Sequence, residues 1–565
     1  MADRITPEAL AAFAGRHLDL VRAPFTLPSS RILVLRGEAG VRVHTSEYER
    51  PLEDCRVLDS LTVTVAGPTP GAFRPATITA VLPDRVEFEG GSVTLVFAGP
   101  DALSLGASSP GFSASWTTPD GLTRAAPLSP ALRFDVAADR RVQVAASVSH
   151  RADADAARSQ WLEWFARCPV VRGDLQEMTA LCWWVLGANI VSLPRLRPQL
   201  GDVRAVVPSK IGYVGLWQWD AYFIAMGLRH GAPDLAREQL DLAFAFPSAN
   251  GQLPDVVHEE GVLATSDDLP AADRDRLRRA GSQIADPNAP VPLTKPPLAA
   301  WALRAVLDAL PPTPDTEAWA RRHLATIRRS QDWWFADSDL DGDGMPEYGH
   351  PYSSGLDDSP IFDGPLPTTA PDLGAYLVVQ DLELARFAEQ FGDSDPAAHR
   401  ARAQRTMARL LELWDASTGV FRARAAGQPV TSDTIVGLMP LLTGCLPDPI
   451  ARTLVAALSD PSRYGTPWGL PTVAAGDPDF SPERMWRGPV WVNTNVLVAR
   501  GLAASGHADA ARLLEERTAA LVIHGGGPHE YFHPFTGEKA RTATTSFGWS
   551  AALFVDLAVR LSAAR

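Results

Sequence analysis

Residues 373–391 read LGAYLVVQDLELARFAEQF and residues 397–414 read AAHRARAQRTMARLLELW; two helical stretches joined by a short loop set the fold class of the chain. Apolar residues at three- and four-residue spacing recur before this pair in QWLEWFARC (160–168), QEMTALCWWVLGANIV (176–191), DAYFIAMGLRHG (220–231) and PDLAREQLDLAFAF (233–246). Further helices are predicted over 296–310, 316–335, 432–442, 449–458, 491–506, 509–523 and 546–561. Helices in succession, joined alternately by short and long loops, are what a ring of helical hairpins produces. The expected architecture is therefore mainly α, an (α/α)6 barrel. A helical solenoid would share the periodicity, but no fixed-length sequence repeat is present.

Upstream the period changes from helix to strand. From Phe25 to Val148 the chain runs in short β-branched segments, RILVLR, VRVHT, LTVTVAG, RVEFEG, SVTLVF and LRFDVAA, separated by Gly, Pro and Asp turns, which is a β-sandwich pattern. The predicted organisation is an N-terminal β-sandwich domain over 1–150, a linker and first helix over 151–170, and the helical barrel over 171–565.

The 565 residues are 46% hydrophobic and 21% charged, enough to bury a large core and more than one domain. A net charge of −14 argues against a surface that neutralises phosphate backbones, so no nucleic-acid partner is expected. No apolar run of membrane-spanning length occurs and the first residues lack the apolar core of a secretory signal, so a cytoplasmic protein without a membrane partner is expected. Cys55, Cys168, Cys182 and Cys445 lie far apart and read as buried thiols. Composition leaves the oligomeric state open.

Three polar-aromatic stretches interrupt the helices: IGYVGLWQWDAYF (211–223), DSDLDGDGMPEYGHPYSSGLDDSPIFD (337–363), and MWRGPVWVNTN (485–495) together with HGGGPHEYFHPFTG (524–537). They are too aromatic for solvated loops. Sugars offer apolar C–H faces and rings of hydroxyls, so flat aromatic rings beside carboxylates suit a small carbohydrate ligand. Each residue also has a plainer reading: Asp220 as a helix N-cap, the Trp residues as core, and Asp357–Asp358 as a solvated turn or a metal pair. Glu530 follows a Gly-Gly-Gly-Pro stretch that lets the backbone approach closely and then fixes its direction.

No catalytic metal or cofactor is predicted. Asp339, Asp341, Asp343 and Gly344 imitate the first half of a calcium loop, yet the twelfth position from Asp339 is His350 rather than a bidentate Glu; a looser structural Ca²⁺ site is left open beside a solvated turn. His529 and His533 stand four apart without an HExxH pattern, and the flanking Pro528 and Pro534 oppose a ligand-bearing helix, so zinc hydrolysis is rejected.

In order along the chain, GYVGLWQWDAYF, SGLDDSP, WRGPVW, HEYFHPFTG and FGWSAAL resemble the motifs of glycoside hydrolase family 63, with bacterial mannosylglycerate and glucosylglycerate hydrolases near and trehalases more distant. The resemblance covers about residues 170–563 and implies an (α/α)6 barrel and anomer-inverting hydrolysis. It places the general acid on Asp357 and the general base on Glu530. Asp220 becomes a sugar-holding residue, and Tyr213, Trp217, Trp219, Tyr352, Trp486 and Trp491 fall at the aromatic walls of the glycone subsite. Gly355, Arg487 and Lys295 complete the expected substrate-binding set; Lys295 stands where glycerate-processing relatives carry Gln, and Tyr352 where relatives often carry Trp. The activity expected is that of an exo-acting α-glycosidase, foremost an α-glucosidase on a small α-glucoside or disaccharide. An inverting disaccharide phosphorylase and a non-catalytic carbohydrate-binding protein are the alternatives.

Overall fold

The computed structural model describes residues 5–48, 50–67, 73–259 and 293–563. The chain divides into two compact units, Met1–Gly215 with Thr544–Ala551, and Leu216–Ala543 with Ala552–Arg565.

Two six-stranded antiparallel sheets form the β-rich part of the first unit. One has the order β1 (Ile32–Gly37), β2 (Gly40–Thr45), β3 (Arg56–Ala66), β9 (Phe112–Thr117), β10 (Thr123–Pro127), with β4 (Phe73–Pro75) also paired to β3. The other runs β12 (Val142–Ser147), β11 (Ala131–Val136), β8 (Ala102–Ala107), β7 (Val93–Phe97), β6 (Val86–Phe88), β5 (Ile78–Val81). Alternation along the strands sends Val41, Val43, Leu61 and Val63 of the first sheet into the core. Trp116 of β9 meets Phe134 of β11 edge to face at 5.5 Å, joining the two sheets. The helix His150–Phe165 packs on β7 and β8, which explains why β7 is buried on both faces at Leu95, Val96 and Phe97. It is locked to the helix Gly173–Ala188 by Trp164 and Trp183, whose rings stack at 4.8 Å while each indole N–H donates to the other's carbonyl, at 2.7 and 2.9 Å. Tyr213 belongs to this unit, its ring edge-on to Phe547 at 5.7 Å.

The second unit is mainly helical. Helices buried nearly all round alternate with amphipathic ones: every residue of Gln218–Leu228 is buried, whereas Asp448–Ala457 buries only Ala451, Leu454 and Ala457. Gln218–Leu228 packs on its partner Pro233–Ala243 and on Ala299–Leu307; the latter packs on Pro371–Phe391, which in turn packs on Pro396–Leu411 and on Ile435–Thr443. Val492–Ala504 packs on Ile435–Thr443 and on Ala508–His524. Gly227 lies so close to the backbone of Ala552 that a Cβ there would sit 2.4 Å from its carbonyl oxygen.

Asp556, fully buried on the helix Gly548–Ala563, binds Arg229 (2.8 Å) and His230 (2.9 Å) at the end of Gln218–Leu228, Arg500 (3.0 Å) of Val492–Ala504, and Arg560 (3.0 Å) of its own helix. Burial alone would raise this carboxyl; the bond to His230 and the charges of Arg500, Arg560 and Arg229 more than offset it and hold it well below the usual range. Removing one member of such a hub leaves unpaired charge in the interior. Asp556→Ala is expected to cost about 3–5 kcal/mol in a urea or guanidinium unfolding titration.

Two expectations are corrected. The segment 432–442 does not form an α-helix: Ile435–Thr443 is 3₁₀, with Pro440 inside it, because proline lacks the N–H that an α-helical turn needs. Cys55, Cys168 and Cys182 are buried, but Cys445 is exposed, since it follows the left-handed Gly444 that ends this element and turns the chain outward. Among the described residues, no helix is long and apolar enough to cross a membrane.

Candidate active site

The first wall begins where Leu216–Trp217 pairs with Val256–Val257 as a two-stranded ribbon, closed by a bond from Gln218 N–H to the Asp255 carbonyl at 2.9 Å. Trp217 is the residue before the helix Gln218–Leu228, and Asp220 sits inside the first helical turn, 5% exposed, so it is not the N-cap. The same ribbon brings Asp255 to this wall. Lys295, 5% exposed, places its Nζ 2.9 Å from Asp255 Oδ1 and donates to the carbonyl of Tyr352 at 2.5 Å.

Tyr352 lies in the 3₁₀ turn Pro351–Ser354, which ends at Gly355 in the left-handed conformation (φ 72°) and delivers Asp357. A Cβ on Gly355 would fall 2.2 Å from the Trp219 ring, so only glycine fits. Tyr352 itself is exposed at the rim, and its ring meets that of His350 at 4.6 Å. His350 Nδ1 accepts the Tyr352 N–H at 3.1 Å; burial and the nearby Lys295 push this imidazole down to about 4, so it is neutral at ordinary pH.

Asp357 and Asp358, adjacent in sequence, face different surroundings. Asp358 is a clamp: Oδ1 accepts the Trp486 N–H at 2.9 Å and Oδ2 accepts Arg484 Nε at 3.0 Å, with Arg487 Nε 4.0 Å away. Asp357 has no such ties. Its Oδ1 is buried and has no hydrogen-bond partner among the described residues, although the residue retains some exposure elsewhere on its surface. The surrounding protein removes enough water to raise the carboxyl to about 6; Asp255 and Asp358 act in the same direction and Lys295 opposes them. Burial likewise raises Asp220 well above the ordinary range despite Lys295. Lys295 stays protonated, because Asp255, Asp357 and Asp220 more than offset its own burial.

The second wall is aromatic. Trp486 and Trp491 stack at 3.6 Å and 6°, Trp219 approaches Trp486 at 6.2 Å, and Tyr531 tilts onto Trp491 at 4.7 Å. Trp486 is 2% and Trp491 1% exposed, so much of their surface packs within the protein rather than facing solvent. Arg487, also buried, grips Asp363 with both terminal nitrogens, Nη1 to Oδ2 at 2.9 Å and Nη2 to Oδ1. Val490 and Phe532 exchange backbone hydrogen bonds at 2.8 and 2.9 Å, and this bridge sets Trp491 beside Tyr531 with the buried Glu530 next in the chain.

The structure thus joins Trp219, Asp220, Lys295, Tyr352, Gly355 and Asp357 through direct contacts or shared charge, and links Trp486, Arg487 and Trp491 to them through Asp358 and the stacked indoles; Glu530 is the chain neighbour of Tyr531, whose ring tilts onto Trp491. Tyr213 lies in the first unit. Asp339, Asp341 and Asp343 each offer an oxygen within 4.8 Å of the others, yet each also accepts a backbone N–H of its own turn, from Gly344, Asp343 and Met345 respectively.

The model of the mannosylglycerate hydrolase MGH1-like glycoside hydrolase domain matches residues 213–550 of this chain. The chain belongs to this family of glycoside hydrolases. It is 28% identical over 415 residues to a mannosylglycerate hydrolase of Rubrobacter radiotolerans, spanning 61% of this chain and 91% of the relative. A glucosylglycerate hydrolase of Mycolicibacterium hassiacum is 26% identical over 436 residues, covering 63% and 94%. The crystal structure of the glycoside hydrolase family 63 mannosylglycerate hydrolase from Thermus thermophilus, in complex with Tris and D-glycerate, superposes with a TM-score of 0.54 at 25% identity, over 64% of this chain and 97% of that one. As an MGH1-like hydrolase this chain carries one site feature that no motif announces: Asp255, in LPDVV (253–257), whose partner Lys295 lies forty positions further on. Asp363, which orients Arg487, is likewise announced by no motif.

Proposed function

We propose that this MGH1-like hydrolase is an exo-acting, anomer-inverting α-glycosidase for a small α-linked substrate, built on an (α/α)6 barrel, with Asp357 as general acid and Glu530 as general base. The observation that carries the reading is Asp357 itself: a carboxyl raised to about 6, with a buried oxygen that has no hydrogen-bond partner among the described residues, beside an Asp358 already committed to structure. In the reaction, Asp357 gives its proton to the glycosidic oxygen as the bond to the anomeric carbon breaks. Glu530 takes a proton from the water that attacks the opposite face, and the product leaves with inverted configuration. Inversion needs roughly 6.5–9.5 Å between the two carboxyls to admit that water. Asp220 and the aromatic wall hold the glycone. The chemistry as written uses no metal or cofactor. The sequence of helix contacts from Gln218–Leu228 to Val492–Ala504, with Asp556 bound to both of those ends, supports ring closure.

The names of the relatives bring hexosyl glycerates, mannosyl and glucosyl alike, to the head of the substrate list, with small α-glucosides and disaccharides next. A phosphorylase is the weaker reading, because all three lysines are already engaged: Lys210 with Thr26 and Leu27, Lys295 with Asp255, and Lys539 with backbone carbonyls. The test is a panel of α-glucosyl and α-mannosyl glycerates, glucosides and disaccharides, with and without phosphate, read by proton NMR. Release of the β-anomer first, without phosphate, is expected; release of the α-anomer first would reject the mechanism. Because the acid must be protonated, kcat/KM is expected to decline as pH rises through about 6, which a pH–rate profile on the best panel substrate checks.

A further inference from the structure

We propose that Asp255 and Lys295 are positioning residues for Asp357: their buried pair pins the turn that delivers the acid and sets the charge beside it, each partner acting against the other. The inference rests on the assignment of Asp357 as general acid. The pinning is direct. One ammonium reaches Asp255 Oδ1 at 2.9 Å and the Tyr352 carbonyl at 2.5 Å, and Tyr352 begins the six-residue run that ends at Asp357. Asp255 in turn is fixed by its backbone, which accepts from Gln218 at the start of the helix bearing Asp220. A chain of three contacts therefore couples the ribbon, the sugar-holding helix and the acid turn.

The charge balance follows from the same geometry. Asp357 feels Lys295, Asp255 and Asp358 and in turn helps to raise Asp220; Lys295 also faces the neutral His350, and Asp358 is bound to Arg484 with Arg487 close by. With Asp358 already paired, Asp255 and Lys295 remain as the nearby opposite charges that a single substitution can unbalance. Removing the ammonium takes away a cation that favours ionised Asp357, so the acid keeps its proton to higher pH. Removing the Asp255 carboxylate takes away an anion and leaves the cation uncompensated, so the acid loses its proton at lower pH.

The experiment compares kcat/KM–pH profiles of wild type, Lys295→Met, Asp255→Asn and the double variant, using the best substrate of the panel and the α-glycosyl fluoride of the same glycone, with circular dichroism reporting the fold. The alkaline limb is expected to move up by about one pH unit in Lys295→Met and down by a similar amount in Asp255→Asn, with the double variant between them. The loss of rate on the glycoside is expected to exceed the loss on the fluoride by about tenfold, since fluoride departs with less help from an acid. Limbs that stay in place or move in the same direction would overturn the inference. If Lys295→Met does not fold, Asp255→Asn alone decides: a downward shift supports the inference and any other result rejects it. Normal rates in Asp357→Asn would instead remove the functional reading beneath it, so the two failures are distinguishable.

Discussion

Asp357→Asn is expected to lower kcat/KM for an unactivated α-glycoside by about 10²–10⁴-fold, with the thermal midpoint little changed. The side chain keeps its shape but has no transferable proton, and the leaving oxygen must depart as an alkoxide. Stability is expected to hold because Asp357 Oδ1 has no hydrogen-bond partner among the described residues, and the burial cost relieved by removing a carboxyl held near 6 offsets the lost attraction to Lys295, which keeps Asp255 as its direct partner. The loss should shrink on an α-glycosyl fluoride. A rate within a few-fold of wild type on the glycoside would show that the proton comes from another group. Asp358→Asn offers the contrast: it weakens the bonds to Trp486 and Arg484, so its damage should fall on the glycoside and the fluoride alike.

The second large effect is expected in Glu530→Ala, again about 10²–10⁴-fold, but here the loss should persist on the fluoride, because the water still lacks its base. Added azide, which needs no deprotonation, is expected to restore turnover and to yield the β-glycosyl azide from an α-substrate. Recovery of an α-azide, or no loss in the variant, would contradict a base on Glu530. The pair of variants thus separates the two halves of the reaction by leaving group on one side and nucleophile on the other.

The parts of this structure that local periodicity controls were legible in the sequence. LGAYLVVQDLELARFAEQF became the helix Pro371–Phe391, and RILVLR and SVTLVF became β1 and β7. Strands such as FSASWT and TRAAP gave no alternating β-branched signal; β10 has no fully buried residue and is a strand because β9 pairs with it, not because of its own composition. The same distinction holds at the site. Asp357, Glu530 and the tryptophans stood out because unusual residues cluster in loops. Asp255 did not, since a single acid after a proline has no spacing to betray it, and its meaning appears only when Lys295 reaches it in space. The aromatic loops were read as ligand-facing walls, whereas Trp486 and Trp491 also stack tightly on each other, a partnership set by the Val490–Phe532 bridge rather than by their spacing.

The missing side chain at Gly355 has a consequence for anyone seeking to retune this enzyme. Because the Trp219 ring fills the space a methyl group would need, the turn and the indole can be redesigned only together. Libraries that vary the acid turn while holding Trp219 fixed will return glycine at this position or inactive protein, and a smaller residue at 219 is the first change that would open that route.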